Sequence, residues 1–179
     1  MGNEETERKL VCLYTAVEIA EAVQRLAGEL DQDYAHRFPV LVGVLKGSFI
    51  FLADLVRRMK VPLRSIEFLR MSSYGSATVS SGNPQITLGL SSTAVAGRDV
   101  VVIEDIVDTG ITTSAALTYL QDLQPASVKI CTLLDKPSRR QVSVEVSYVG
   151  FTVPDKFIVG YGIDFDQEYR QLPHIYTLD

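Results

Sequence analysis

Three stretches of this chain are apolar almost residue by residue rather than in alternation: Val40-Leu-Val-Gly-Val-Leu45, Val100-Val-Val-Ile103, and Val128-Lys-Ile-Cys-Thr-Leu-Leu134. A strand with one wet face alternates, so an unbroken run implies cover on both faces, as in a parallel sheet held between helices. The first two runs lead into helix-like segments, Ser48 to Met59 and Ile111 to Leu123, which is the order of βαβ units. Upstream, Thr15 and Glu18 have the spacing of a capping box. Ile19, Val23, Leu26, Leu30 and Tyr34 then recur at helical steps. The expected fold is therefore α/β, with a mostly parallel central sheet flanked by helices. Ile66 to Met71 is expected to add a strand, as are the alternating segment Val142 to Val146 and the run Phe157 to Val159.

At 179 residues and 46% hydrophobic, the chain is large enough for one core, and no linker or internal repeat divides it. The net charge of −5 lacks the basic face of a nucleic-acid binder, so a small anion is a better ligand than a polyanion. Cys12 and Cys131 form no C-x-x-C pair, and Cys131 lies in an apolar run, which reads as a buried thiol. The acidic start, Met1 to Lys9, has no signal-peptide character, and no apolar stretch approaches membrane-spanning length. A cytoplasmic protein without membrane or nucleic-acid partners is expected.

The chemistry is concentrated in Val100-Val-Val-Ile-Glu-Asp-Ile-Val-Asp-Thr-Gly-Ile-Thr-Thr113. An apolar strand runs into Glu104 and Asp105, then Asp108, then a Gly- and Thr-containing turn that opens a helix. Ligands of open α/β sheets bind beyond the carboxyl ends of the strands. A tight turn at a helix start presents backbone N–H groups to a phosphate. Carboxylates beside it can accept from vicinal hydroxyls or face a hydrated magnesium ion. One acid would suffice to cap a helix, but three lie within five residues. The pattern is neither a G-x-x-x-x-G-K-[ST] loop nor a G-x-G-x-x-G turn.

Glu104-Asp-Ile-Val-Asp-Thr-Gly110 with Thr112 resembles the phosphoribosyl pyrophosphate signature of type I phosphoribosyltransferases. Leu45 to Ser48, Ser73-Tyr74, Leu133 to Arg140, Pro154 to Asp164, and Tyr169-Arg170 with Leu172-Pro173 are similar to the hypoxanthine(-guanine) branch, bacterial type. The resemblance implies one phosphoribosyltransferase domain over residues 1–179, with a small hood made from the N-terminal segment and the C-terminal strands. It implies a magnesium-dependent enzyme of purine salvage that joins hypoxanthine or guanine to phosphoribosyl pyrophosphate, and a homodimer or homotetramer.

The same resemblance implies the roles of individual residues. Asp108 is the general base, and Asp108, Thr109, Gly110, Ile111, Thr112 and Thr113 hold the 5′-phosphate. Glu104 and Asp105 meet the ribose diol near magnesium, and Asp164 is a further magnesium ligand. Lys46 and Gly47, after a cis peptide between residues 45 and 46, meet the diphosphate together with Arg170. Lys136 donates to the 6-oxo group, Phe157 stacks on the base, Ile158 offers backbone to the base edge, and Ile106 packs on the other face. Ser73 and Tyr74 belong to a lid. Read without the resemblance, Lys46 and Lys136 are solvated lysines, Ile106, Phe157 and Ile158 are core, and Ser72 to Pro84 is a loose loop or a lid. Other readings are a regulator that senses the cosubstrate and binds RNA, and a transferase for xanthine, uracil or adenine.

Overall fold

The computed structural model describes residues 9–72 and 84–178. In chain order these form β1 (Leu10–Tyr14), α1 (Ala16–Asp33), β2 (Val40–Leu45), α2 (Phe49–Val56), β3 (Ser65–Ser72), β4 (Gln85–Leu88), α3 (Ser92–Val95), β5 (Asp99–Val107), α4 (Ile111–Asp122), β6 (Ser127–Asp135), β7 (Tyr148–Thr152), β8 (Phe157–Val159) and β9 (Ile175–Leu178). The expected lid residues Ser73 and Tyr74 lie outside the described residues.

Six strands make one sheet in the order β4-β3-β2-β5-β6-β7, parallel except for the edge strand β4. The three apolar runs are its three central strands, β2, β5 and β6. Val40, Val42, Val100 and Val102 pack on the α4 side, while Leu41, Val101, Ile103 and Leu133 pack on the α1 and α2 side. Burying both faces of each central strand removes about 1.5–3 kcal/mol worth of aliphatic exposure per side chain, which is why these runs do not alternate.

The expected capping box is present. Thr15 Oγ1 accepts from the Glu18 N–H, and Glu18 accepts from the Thr15 N–H at 2.8 Å. His174, unassigned from sequence, adds to this helix start by accepting the Ala16 N–H on Nδ1 at 2.8 Å. That contact joins α1 to the small second sheet, β1-β9-β8, which is antiparallel throughout. Its strands come from the N-terminal segment and the C-terminal strands, the parts expected to form a hood.

Two expectations about strands need correction. The segment Val142 to Val146 is not a strand, although its valines do alternate toward the core. The N–H groups of Gln141 and Val142 are donated to Thr109 O, at 2.9 and 3.1 Å, so its start is committed to a loop rather than to a neighbouring strand. Burial gave the segment a period of two without a ladder. The sheet is instead completed by β7, which begins at Tyr148. The second correction concerns β5, which does not stop at Ile103 but continues through Glu104, Asp105 and Ile106 to Val107. Strand β6 is equally long and pairs with it to the end, Ile106 with Leu134 and Val107 with Asp135.

Candidate active site

The longer β5 changes the setting of the acids. As neighbours in a strand, Glu104 and Asp105 leave it on opposite faces. Glu104 is buried on the α4 side and accepts from Thr113 Oγ1 at 3.1 Å. Burial, reinforced by the charge of Asp105, pushes its carboxyl up to about 8. Thr113 is itself buried and its hydroxyl is given to Glu104, which leaves its backbone N–H at the helix start. Asp105 lies against Gly47, where an added Cβ would collide with its carboxylate. Its burial raises it to about 6, opposed by backbone N–H groups of Asp105 and Ile106 and by Arg170.

Asp108 is the first residue past β5, and Lys136 is the first past β6. Because Val107 and Asp135 are register partners, the two side chains emerge side by side, and the Lys136 N–H is tied to Val107 O at 3.0 Å. Lys136 Nζ lies 3.9 Å from Asp108 Oδ2 and donates to Lys156 O at 2.8 Å. Lys136 is only 4% exposed, which excludes the reading of a solvated turn lysine. Arg139 places Nε 3.6 Å from Asp108 Oδ1 and 3.7 Å from Asp155 Oδ1. Both are ion-pair distances without a hydrogen bond, and Asp108 Oδ1 is buried with no hydrogen-bond partner among the described residues.

These groups line a cavity of about 150 Å³ that is also walled by Ile106, Phe157, Ile158 and Asp164. Phe157 remains 51% exposed although it sits in a strand, with its ring edge-to-face on Phe165 at 5.1 Å. It is therefore not core. Ile158 is buried core, and Ile106 packs partly against the same cluster, so for both the core reading and a place in the cavity wall hold together. Ile163 also lines the cavity and was not singled out from sequence.

Beside the cavity, the turn Asp108 to Thr113 leads into α4. Gly110 is its N-cap at φ +82, a left-handed conformation that disfavours side chains, and a Cβ there would strike Val142 O. Among the described residues, the Ile111 N–H has only a long contact to Thr109 Oγ1, 3.4 Å, and no side chain caps the helix. The first-turn N–H groups at Ile111, Thr112 and Thr113 thus face outward at the positive end of the helix dipole. Arg140 passes beneath Gly110 and pairs with Asp135.

On the other side, the Leu45–Lys46 peptide is cis, as the resemblance implies. Lys46 Nζ donates to Gln167 Oε1 at 2.8 Å. Arg170 pairs with Asp164 at 2.7 Å and donates to Gly162 O at 2.7 Å. Gly162, at φ +100, approaches Gly47 so closely that a Cβ would meet Gly47 O. This backbone contact brings the loop that carries Asp164 and Arg170 onto the end of β2. Gln167 falls inside the stretch between those two residues but was not picked out from sequence, since nothing in its type distinguishes it there.

Among the described residues no group of three or more His, Cys, Asp or Glu could hold a metal ion. Asp105 and Asp164 do lie close enough for their charges to act on each other. Two carboxylates with room for ligand oxygens and water suit magnesium, which seldom takes an all-protein cage.

The sequence profile of the Phosphoribosyl transferase domain matches residues 13–166. The chain is 45% identical over 166 residues to the hypoxanthine-guanine phosphoribosyltransferase of Bacillus subtilis (strain 168), covering 93% of this chain and 91% of that one. It is 46% identical over 162 residues to the hypoxanthine phosphoribosyltransferase of Salmonella typhimurium, covering 87% and 89%. A crystal structure of a hypoxanthine phosphoribosyltransferase from Staphylococcus aureus superposes with a TM-score of 0.88 at 43% identity, over 94% of this chain and 91% of that one.

Proposed function

The chain belongs to the phosphoribosyl transferase family, and from that premise we propose that it is the purine-salvage enzyme its relatives are named for. It converts hypoxanthine or guanine and phosphoribosyl pyrophosphate into the nucleoside monophosphate and diphosphate. The observation that carries this reading is the cavity floor. Asp108 Oδ1 is buried with no hydrogen-bond partner among the described residues and faces Arg139, Lys136 faces the other oxygen, Oδ2, and the half-exposed ring of Phe157 lines the same cavity. An orphaned buried acceptor needs a donor. The N–H of a purine base bound beside Phe157 supplies one.

Lys136 supports a 6-oxopurine. Its ammonium is donor-only and already gives one hydrogen to Lys156 O, so what it offers the cavity is further donors, which suit a carbonyl and not an amino group. Asp108 accepts the base proton as the new bond to the ribose forms. The uncapped start of α4 receives the 5′-phosphate, with Gly110 allowing its close approach. Glu104 and Asp105 serve the ribose hydroxyls, and Lys46 and Arg170 the diphosphate. Asp105 and Asp164 would hold magnesium, which supplies charge neutralisation to the departing diphosphate. Glu104 is the weaker candidate as a metal ligand, because it faces α4 and Thr113.

We further place residues 1–179 in a single domain working in the cytosol, as a dimer or tetramer. Phe49, from the run Ser48 to Leu52, contributes to the association together with Ile66 and Phe68, all exposed, whereas Ser48, Phe51 and Leu52 are buried. No described helix is long and apolar enough to cross a membrane.

The test is a panel of hypoxanthine, guanine, xanthine, adenine and uracil with magnesium and phosphoribosyl pyrophosphate, following nucleotide and diphosphate. Hypoxanthine and guanine should lead. Adenine outrunning hypoxanthine would overturn the role of Lys136. RNA binding without turnover of any base would replace the enzyme by a regulator.

A further inference from the structure

Gln167 occupies the place where an anion is expected. Its Oε1 accepts from Lys46 Nζ at 2.8 Å and from Arg170 Nη2 at 3.4 Å, joining two cations that come from opposite ends of the chain. The loop that presents it is held by several tethers. The Gln167 N–H donates to Asp164 Oδ2 at 2.9 Å, Phe165 and Glu168 form an antiparallel bridge, and Arg170 is fixed by Asp164 and Gly162 O. Asp166, Gln167 and Tyr169 all take positive φ, at 50°, 71° and 72°. Three non-glycine residues in that region within four positions are costly unless the surroundings impose the conformation. The tethers impose it, and their effect is to aim one amide oxygen between Lys46 and Arg170.

We propose that Gln167 is a built-in stand-in for a diphosphate oxygen, and that its displacement sets how tightly the diphosphate half of the cosubstrate and product is held. This rests on the reading of Lys46 and Arg170 as the diphosphate ligands. In the free protein the amide keeps both cations directed at one spot and limits their freedom. It is neutral, so each bond it makes is weaker than the charge-assisted bond that a phosphate oxygen makes to the same donors. The diphosphate therefore displaces it, at the cost of the two bonds it gives up. A carboxylate at this position would pair with the same cations more firmly and would also repel the incoming anion.

The experiment is calorimetric titration of the full chain with magnesium diphosphate, with KM measured in parallel for phosphoribosyl pyrophosphate and for hypoxanthine. Gln167→Glu should weaken diphosphate binding and raise the cosubstrate KM by about 10-fold, leaving the hypoxanthine KM in place. Gln167→Ala should tighten diphosphate by roughly 3-fold. Gln167→Asn guards against a disturbed loop, because asparagine tolerates positive φ and keeps an amide but is one methylene too short to serve both cations. It should behave as the alanine variant does. Weaker diphosphate binding in both the alanine and asparagine variants would make Gln167 a support rather than a competitor and overturn the proposal. So would a wild-type affinity that all three variants share. A wild-type chain that bound no magnesium diphosphate would remove the reading of Lys46 and Arg170 as well, and the proposal with it.

Discussion

The corner where β5 passes into α4 supplies Glu104, Asp105, Asp108 and Gly110 within seven consecutive residues, whereas the facing wall draws Lys46, Lys136, Phe157, Asp164 and Arg170 from four separate places in the chain. The corner acts mainly through backbone: a left-handed glycine, an uncapped helix start, and two N–H groups from residues 141 and 142 that hold Thr109 O. The wall acts through side chains whose positions depend on strand register and on the close contact of Gly162 with Gly47. A contiguous turn can bind an anion wherever it is placed. A wall assembled at long range can discriminate, because each donor can be set independently against a particular ligand atom.

Asp108 stands where corner and wall meet, so its removal should have the largest effect. Asp108→Asn keeps the size and loses the proton acceptor. Turnover should fall by roughly 10²–10⁴-fold while cosubstrate affinity changes much less. Steady-state kinetics with calorimetry measures both, and equal losses would show that Asp108 belongs to the corner alone.

Gly110→Ala attacks the corner without touching the wall. It forces a side chain to φ +82 and into Val142 O, a cost of about 1–3 kcal/mol if the fold survives. The cosubstrate KM should rise by roughly 10-fold or more while the hypoxanthine KM stays near its original value. Parallel rises in both would mean that the two regions are mechanically one.

A third test separates them by protons. The carboxyls of Glu104 and Asp105 are raised to about 8 and about 6 in the folded chain. Between their unfolded values, near 4, and these folded values, the folded chain holds more protons than the unfolded one, so stability must fall as pH rises through that window. In ligand-free, metal-free buffer, Tm should drop by roughly 10 °C from pH 5 to pH 8.5. Glu104→Gln should flatten the upper part of this slope. An unchanged profile in the variant would mean that Glu104 is not the buried acid responsible.

The smallest effect is expected far from both regions. His174→Ala removes the acceptor at the start of α1, worth about 1 kcal/mol, and should lower Tm by roughly 2–4 °C with kcat unchanged. A change in kcat would show that the small sheet transmits strain to the wall.

The elements that could be read in advance share a local cause. Capping at Thr15 and Glu18, the helical spacing of α1, and the three doubly buried strands each depend on neighbours a few residues away or on a burial pattern written along one element. The turn at Gly110 into α4 was legible for the same reason, since its glycine acts where it stands. Val142 to Val146 misled because alternating burial does not say whether a hydrogen-bonding partner is present. β5 was drawn too short because its length depends on that of β6. Arg139 and Gln167 were visible only as residues near others of interest. What distinguishes them is a distance to Asp108 in one case and to Lys46 in the other, and neither distance is written in residue type.

By itself, the sequence determined the α/β class, the glycine turn that opens α4, and the acids that precede it, because hydrophobic burial and helix-end chemistry act over short stretches of chain. Only the tertiary structure decided that Lys136 is buried rather than solvated, that Glu104 and Asp105 face opposite ways, and that Gln167 bridges two cations. Those outcomes follow from the register of β5 with β6 and from the meeting of two glycine backbones more than a hundred residues apart, both of which are fixed by packing between elements rather than within one.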